Sequence, residues 1–381
     1  QEVINGVRVV KSFVREEKEI DRFKEASEQI KQVFMKAEKL IALNSPIMQI
    51  AVYSSLLVVY WFGAKFVVAG SMTPGTLTSF IMYMLQILNS LMMFSMIFVM
   101  IVISEASCER VAEVLTEKST LTNPENPVTT IENGEIEFKN VSFKYYPEAQ
   151  EADLTNISFK IESGQTIGII GGTGSGKSSL IQLIPRLYDT TQGEVYVAGR
   201  NVKEYDLVTL RDQIAMVLQK NTLFSGTILE NLRWGDKDAS LAEVKRMASL
   251  AQADQFVSTF PEEYNTILDQ GGNNVSGGQK QRLTIARALL KKPKILILDD
   301  STSAVDTKTD AKIRQAFKEE IPNTTKIIVA QRISSIQDAD KIIVLDEGKI
   351  NGIGTHEELL ANNQIYQEVY ESQVKGGRIS E

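Results

Sequence analysis

The sequence predicts a membrane α-helical segment, with two transmembrane helices and long cytoplasmic extensions, followed by an α/β domain built on a phosphate-binding loop. Two observations carry this prediction. Residues 40–64 and 66–104 contain no charged side chain, and each run exceeds the roughly 20 apolar residues that a helix needs to cross a bilayer. From about residue 131 onward, short β-type runs alternate with helical ones, which is typical of an α/β domain.

The composition excludes several classes of protein. The chain has 381 residues, of which 43% are hydrophobic and 23% are charged, and these values argue against a disordered or collagen-like chain. A net charge of −7 argues against a protein that binds nucleic acid by neutralising phosphates. A single cysteine, Cys108, excludes an internal disulfide and a multi-thiolate metal site. A single histidine, His356, excludes a Ser-His-Asp mechanism unless that residue serves it.

The two uncharged runs predict transmembrane helices at about 46–68 and 77–103, joined by a turn-rich hairpin at 69–75. Tyr60 and Trp61 suit the membrane interface. The alternative is two buried helices of a large soluble core, but soluble helices rarely lack charges over such lengths. The sequence therefore indicates a membrane protein.

Helical sequence continues beyond both predicted spans. Residues 15–39 have the spacing of a charged amphipathic helix that runs into the first span, and residues 105–116 continue the second. Lys31, Lys36 and Lys39 lie beside the first span, and the positive-inside rule places this side in the cytoplasm.

A phosphate-binding loop follows the apolar strand predicted at 166–170. Its sequence matches G-x-x-x-x-G-K-[ST] and leads into a helix at Ser179; the loop is Gly171-Gly172-Thr173-Gly174-Ser175-Gly176-Lys177-Ser178. In this motif the backbone N–H groups surround the phosphates, the lysine binds the β- and γ-phosphates, and the final hydroxyl binds Mg²⁺. We expect ATP and Mg²⁺ here, with a chance glycine-rich turn as the alternative.

A second apolar strand, residues 294–298, ends in Asp299 and Asp300. A carboxylate at the end of a strand beside a phosphate-binding loop holds Mg²⁺ in such proteins, so Asp299 is the expected metal ligand together with Ser178. Asp300 stands where a nucleotide hydrolase places the group that orients the attacking water. Taken alone, the pair could also be a solvated strand end.

The run Val275-Ser276-Gly277-Gly278-Gln279-Lys280-Gln281-Arg282 resembles the signature motif of ATP-binding cassette (ABC) transporters. Further segments resemble other motifs of this family, and they occur in the same order and at the same spacing. The resemblance implies that Tyr145 stacks on adenine, that Gln219 of the Q-loop contacts Mg²⁺, and that Ser303-Ala304-Val305-Asp306 is the D-loop. Residues 5–13 resemble an exporter coupling helix.

The resemblance implies three regions. Residues 1–116 are the C-terminal part of an exporter transmembrane domain, with a coupling helix at about 1–14; residues 117–130 are a linker; and residues 131–381 are the nucleotide-binding domain. Under this alignment the chain carries the fifth and sixth transmembrane helices of an exporter, and four earlier helices are expected to be missing from this sequence.

Two positions depart from the family pattern. The catalytic glutamate is replaced by Asp300, and the switch histidine, which contacts the γ-phosphate, is replaced by Gln331. An aspartate carboxylate is withdrawn by roughly 1 Å, and a displacement of that size can cost about 10²-fold in rate. With Gln219, these are the expected catalytic positions, and we expect this loop to bind ATP and to hydrolyse it slowly.

The signature motif is intact, and in this family it acts on ATP bound by a partner chain. Ser276, Gly277, Gly278 and Gln279, with Asp306, are therefore expected to complete a competent site on a second, non-identical half-transporter that has the usual glutamate and histidine. The predicted protein is half of a heterodimeric, multidrug-type exporter of the cell membrane, moving a hydrophobic or amphipathic substrate, without a nucleic-acid partner. The alternatives are an ATP-gated regulatory or channel-like half, a homodimeric lipid or peptide exporter, and a soluble DNA-repair ATPase.

Overall fold

The computed structural model describes residues 2–146, 148–301 and 305–378, and the chain divides into two compact units, residues 1–118 and 119–381. The first unit is built from helices and the second from sheets and helices. This order confirms the predicted fold class of a helical segment followed by an α/β domain.

Four helices make up the described part of the first unit: α1 (Glu2–Asn5), α2 (Val7–Ser12), α3 (Glu16–Val68) and α4 (Pro74–Thr116). Helix α3 has 53 residues, which corresponds to about 80 Å at 1.5 Å per residue. It continues through Pro46, as helices in membranes can where their surroundings satisfy the freed backbone groups. The predicted amphipathic extension and the first span therefore form one helix.

The second long helix begins at a defined cap. Thr73 is its N-cap and accepts a hydrogen bond from the backbone N–H of Thr76 through its side chain, and Pro74 is the first helical residue. Proline is favoured at this position because its missing N–H would have no partner in the helix. Both α3 and α4 are long and apolar enough to cross a membrane.

The two long helices contact each other inside this unit. A Cβ atom on Gly63 would overlap the side chain of Leu77, which would have to move to make room, so the two helices approach closely at this glycine. Ser95 Oγ also donates a hydrogen bond to Asn44 Oδ1 at 3.3 Å. Most of the apolar side chains of both helices face outward from the unit, as expected for surfaces covered by lipid or by further helices.

The strands of the second unit are β1 (Ile136–Phe143), β2 (Leu154–Ile161), β3 (Thr166–Gly171), β4 (Gln192–Val197), β5 (Arg200–Asn201), β6 (Ile214–Val217), β7 (Gly226–Thr227), β8 (Ile267–Leu268), β9 (Ile295–Asp299), β10 (Thr325–Val329), β11 (Lys341–Asp346) and β12 (Lys349–Gly354). Its helices are α5 (Lys177–Leu183), α6 (Leu207–Asp212), α7 (Ile228–Leu232), α8 (Leu241–Leu250), α9 (Asp254–Val257), α10 (Gly277–Leu290), α11 (Thr307–Glu320), α12 (His356–Asn362) and α13 (Gln364–Arg378).

Within the described residues, the main sheet has the order β12-β11-β3-β10-β9-β6. Strands β11, β3, β10, β9 and β6 pair in parallel, and β12 is antiparallel to β11. A separate antiparallel sheet has the order β2-β1-β4-β5, and β7 pairs with β8. The parallel arrangement brings the carboxyl ends of β3, β10, β9 and β6 to one edge.

Helices and the antiparallel sheet cover both faces of the main sheet. In β9, Ile295 and Ile297 lie in the core shared with β1 and β2, whereas Leu296 and Leu298 lie in the core shared with α8 and α10. Successive side chains of a strand point to opposite faces, so β9 is buried on both. This double burial explains why the strand is an uninterrupted apolar run in the sequence.

A fractionation experiment tests the membrane assignment of α3 and α4. We expect the chain to stay in the membrane pellet after an alkaline carbonate wash and to be released by detergent, because the outward apolar surfaces of both helices are covered by lipid only in the bilayer. Release by carbonate alone would contradict this assignment and would favour the soluble ATPase alternative.

Candidate nucleotide-binding site

Four loops with predicted functional residues meet at the carboxyl edge of the main sheet. The phosphate-binding loop follows β3, Gln331 follows β10, Asp300 follows β9 and Gln219 follows β6. Because these strands are neighbours in the order β3-β10-β9-β6, their loops lie side by side. Ligands of open α/β sheets bind at this edge.

The phosphate-binding loop has the backbone that its glycines permit. Gly174 and Gly176 have φ angles of +81° and +90°, a region that favours glycine. A Cβ on Gly176 would lie 2.7 Å from Leu154 Cδ2 and 2.8 Å from the Asp153 carbonyl oxygen, whereas a Cβ on Gly172 would meet nothing within 4 Å. The loop is therefore packed on one side and open on the other.

The side chain of Lys177 lies within this loop. Its Nζ donates hydrogen bonds to the carbonyl oxygens of Gly171 at 2.9 Å and Gly172 at 2.6 Å. Burial lowers the pKa of Lys177, and the carboxylates of Asp299 and Asp300 oppose that shift. An ammonium group held by two carbonyls inside an open loop is placed to receive phosphate oxygens.

The two predicted metal ligands contact each other. Ser178 Oγ donates a hydrogen bond to Asp299 Oδ2 at 3.0 Å, and Asp299 is buried. Burial raises the pKa of Asp299, while the hydrogen bond from Ser178 lowers it.

These two ligands fit Mg²⁺. The residues that the structure describes include no cluster of three or more His, Cys, Asp or Glu side chains suited to a metal. Magnesium does not need one, because it binds through one or two protein oxygens, substrate phosphates and water. A hydroxyl beside a carboxylate matches that donor set.

Asp300 is held by two amides. Its Oδ2 accepts hydrogen bonds from Gln331 Nε2 at 2.6 Å and from Gln219 Nε2 at 3.3 Å. The residue is buried, and burial raises its pKa, whereas both amide hydrogen bonds lower it. The structure thus brings together the three residues for which the sequence predicts a catalytic role.

The backbone of Asp300 adopts a left-handed conformation, with φ of +47°. Aspartate and asparagine tolerate this region better than most other residues. The backbone N–H of Asp300 donates to the carbonyl oxygen of Val329 at 2.9 Å, which anchors the turn to β10.

Tyr145, the residue predicted to stack on a base, lies after β1 in an aromatic cluster. Its ring makes edge contacts with Phe143 and Tyr188, with centroids 4.8 and 5.1 Å away. Its hydroxyl donates to Gln182 Oε1 at 3.2 Å, and Gln182 belongs to α5, the helix that follows the phosphate-binding loop. Tyr145 is 38% accessible, so part of this residue remains open to solvent.

The signature residues lie at the start of α10. Ser276 is the N-cap and forms a capping box with Gln279, and Gly277 and Gly278 are the first helical residues. The side chains of Ser276 and Gln279 each accept a hydrogen bond from the backbone N–H of the other residue, and no hydrogen bond found among the described residues joins these side chains to the phosphate-binding loop.

The D-loop is described only in part. Asp306 is the N-cap of α11 and accepts a hydrogen bond from Thr309 N–H at 2.9 Å. Ser303 and Ala304 of the predicted D-loop lie outside the described residues.

The structure adds residues that the sequence interpretation missed. Gln281, buried in α10, donates to the backbone carbonyl oxygen of Asp300 at 3.5 Å, and Gln373 of α13 contacts the backbone of Gln331. Gln281 belongs to the run that resembles the signature motif, but nothing in that run indicates its contact with Asp300. Nothing local in the sequence marks Gln373, because its contacts span 40 and 42 residues.

Comparisons with known proteins agree with this architecture. Residues 154–303 match the family model described as "ABC transporter", and residues 1–104 match the "ABC transporter transmembrane region". The chain is 39% identical over 373 residues to the "Uncharacterized ABC transporter ATP-binding protein YfiB" of Bacillus subtilis (strain 168), covering 98% of this chain and 64% of that protein.

A second relative and a solved structure extend the likeness. The chain is 38% identical over 372 residues to the "Probable multidrug resistance ABC transporter ATP-binding/permease protein YheI" of Bacillus subtilis (strain 168), covering 98% of this chain and 63% of that protein. The "Structure of a bacterial Atm1-family ABC exporter with ATP bound" superimposes with a TM-score of 0.91 at 29% identity, covering 98% of this chain and 65% of that one. The chain thus spans less than two thirds of the length of these relatives.

Removal of magnesium tests the assignment of Asp299. We expect chelation with EDTA to weaken ATP binding by about tenfold or more in the wild type, because Ser178 and Asp299 can then no longer contribute through the metal. In Asp299→Asn, binding with and without Mg²⁺ should differ by less than about threefold. Equal magnesium dependence in the two proteins, measured by equilibrium binding, would show that Asp299 is not a metal ligand.

Proposed function

The chain belongs to the ABC transporter family, and from this premise we propose that it is the ATP-binding subunit of a heterodimeric exporter. It is a membrane protein with a cytoplasmic ATP-binding domain, of the ABC transporter ATPase class. The proposed cargo is a hydrophobic or amphipathic molecule. This cargo class is in keeping with the multidrug-type relative named above and with the apolar surfaces of α3 and α4. The coupling-helix assignment of residues 1–14 is part of the same proposal.

The observation that carries the proposal is the arrangement around Asp300. In a competent site of this family, a glutamate orients the attacking water and a histidine contacts the γ-phosphate. In this chain both of these residues are replaced, the glutamate by Asp300 and the histidine by Gln331. The amide of Gln331 donates a hydrogen bond to the shorter carboxylate of Asp300 at 2.6 Å. A group that acts on water must come within about 3 Å of it, and Asp300 is both withdrawn and already bonded to two amides.

In contrast, the residues that bind the nucleotide match those expected for the family. Lys177 and the open loop suit the phosphates, Ser178 and Asp299 suit Mg²⁺, and Tyr145 offers an aromatic face to adenine. ATP binding is the sum of many contacts, whereas ATP hydrolysis depends on the position of one carboxylate oxygen. The proposed site therefore binds ATP well and hydrolyses it slowly. Bound Mg²⁺ would supply charge neutralisation at the phosphate oxygens.

The signature residues suit a second chain. Ser276 begins α10 beside Gly277 and Gly278, so hydroxyl and backbone N–H groups stand together at a helix start, an arrangement that favours phosphate. In this family such a segment faces the phosphate-binding loop of the partner. We therefore assign the productive site to a non-identical partner that keeps the glutamate and histidine, with this chain supplying the signature and Asp306.

Asymmetric substitutions test the heterodimer. In the complete transporter, Asp300→Asn should change ATPase activity by less than about twofold, whereas glutamate to glutamine in the partner should lower it by about 10²-fold or more. Asparagine preserves the size of the side chain and tolerates the left-handed backbone, so folding is not at issue. Loss of turnover in Asp300→Asn would contradict slow hydrolysis at this site and favour a homodimer. Transport that persists when neither site turns over would instead favour the ATP-gated alternative.

Restoring the family residues should restore hydrolysis. In a transporter whose partner glutamate is already glutamine, the double change Asp300→Glu with Gln331→His should raise the residual ATPase rate by about tenfold or more, provided that the partner's signature is intact. The two side chains touch, so their effects should be strongly non-additive, and either single change should give much less than the pair. An unchanged rate with ATP still bound would mean that these two positions do not limit hydrolysis or that the partner's signature is also degenerate.

A further inference from the structure

The segment that carries Gln331 is flanked by the C-terminal helix. After β10 ends at Val329, the chain passes Gln331 and enters a short 3₁₀ turn at Ile333–Ser335. Ile333 is 1% exposed and lies in the same hydrophobic core as Tyr366 of α13, and Tyr370 packs against that core. Helix α13 therefore rests on the turn that follows Gln331.

One side chain of α13 bonds to this segment twice. Gln373 Nε2 donates to the backbone carbonyl oxygen of Gln331 at 2.7 Å, and Gln373 Oε1 accepts from the backbone N–H of Ile333 at 2.9 Å. Because one bond needs a donor and the other an acceptor, the orientation of the Gln373 side-chain amide is fixed. Gln373 thus fixes the backbone on both sides of residue 332.

The fixed backbone sets the position of the Gln331 side chain. From it, Gln331 Nε2 reaches Asp300 Oδ2 at 2.6 Å. The far end of the segment is held separately, since Ser335 Oγ donates to Asp310 Oδ2 at 3.2 Å. Gln331 is itself exposed, and among the described residues the side chain that bonds to its backbone carbonyl oxygen is that of Gln373.

We infer that Gln373 is a positioning residue of the nucleotide site, through which α13 orients Gln331 toward the terminal phosphate of ATP. This inference rests on the proposed function, because it requires that the loop holds ATP and that Gln331 faces the γ-phosphate. Gln373 does not itself touch the nucleotide. Its action is specific to the third phosphate, so it governs how well the site distinguishes a triphosphate from a diphosphate.

A positioning role for Gln373 predicts different effects on ATP and ADP affinity, whereas a general loss of structure would weaken the binding of both nucleotides alike. Removing one or two hydrogen bonds of this kind changes an equilibrium by about threefold to tenfold. Gln373→Ala, and Gln373→Met, which keeps the length of the side chain, should therefore weaken ATP binding about threefold to tenfold. Binding of ADP, which lacks the third phosphate, should stay within about 1.5-fold of wild type by this argument.

A glutamine on the same helix provides the matched control. Gln367 Nε2 donates to the backbone carbonyl oxygen of Leu360 at 2.6 Å, a bond of the same type that does not involve the segment around Gln331. Gln367→Ala should leave the ratio of ATP to ADP affinity unchanged, even if it lowers the stability of the helix pair.

The measurement is equilibrium binding of radiolabelled ATP and ADP with Mg²⁺ to the complete transporter in lipid nanodiscs. The partner's own phosphate-loop lysine is replaced by alanine, so that binding reports on this chain. Equal losses for both nucleotides in the Gln373 variants, or no loss for either, would overturn the inference. Failure of the proposed function looks different: wild-type protein would then bind neither nucleotide, or would bind ATP just as well after Lys177→Ala.

Discussion

The parallel pairing of β3, β10, β9 and β6 is the constraint on which the site depends. It places the carboxyl ends of four strands at one edge of the sheet. Each strand end carries a different group: a phosphate-binding loop, an amide, a carboxylate pair and a second amide. These groups are separated by up to about 160 residues in sequence, yet the hydrogen-bond ladder sets their spacing. Since the strands are buried on both faces, a one-residue shift in register would move every side chain into the core on the opposite face, and the packing of these two cores therefore protects the geometry of the edge.

At this edge, Asp299 and Asp300 are adjacent in sequence but differ in their surroundings. Asp299 contacts a hydroxyl in the phosphate-binding loop at 3.0 Å, and Asp300 contacts the two amides of Gln219 and Gln331. Burial raises the pKa of both carboxyl groups, and the hydrogen bonds from Ser178 to Asp299 and from Gln219 and Gln331 to Asp300 oppose that rise. The two neighbouring carboxylates therefore have different hydrogen-bond partners, and Asp300 has a left-handed backbone with φ of +47°.

Much of this could be predicted from the sequence. The uncharged runs gave both long helices because a bilayer requires length and apolarity, which are local properties. The phosphate-binding loop was recognisable because its glycines and lysine are consecutive. The antiparallel sheet β2-β1-β4-β5, the positive φ of Asp300 and the contacts of Gln281 and Gln373 were not predicted. Each depends on pairing between distant segments, and a single sequence carries no signal for such pairing beyond composition.

The proposed separation of ATP binding from ATP hydrolysis rests on how each of the two depends on distance. Phosphate binding sums many contacts from backbone N–H groups, a lysine and a metal, so an error of a few tenths of an ångström in one contact costs little. Water activation depends on a single oxygen, and a carboxylate shortened by one methylene falls about 1 Å short, a displacement that can cost about 10²-fold. An amide at Gln331 then suits the shortened acid, because it donates to the carboxylate without adding a titratable group. In the proposed site, the aspartate and the glutamine therefore act as one hydrogen-bonded pair, and Gln373 of α13 bonds to the backbone of that glutamine.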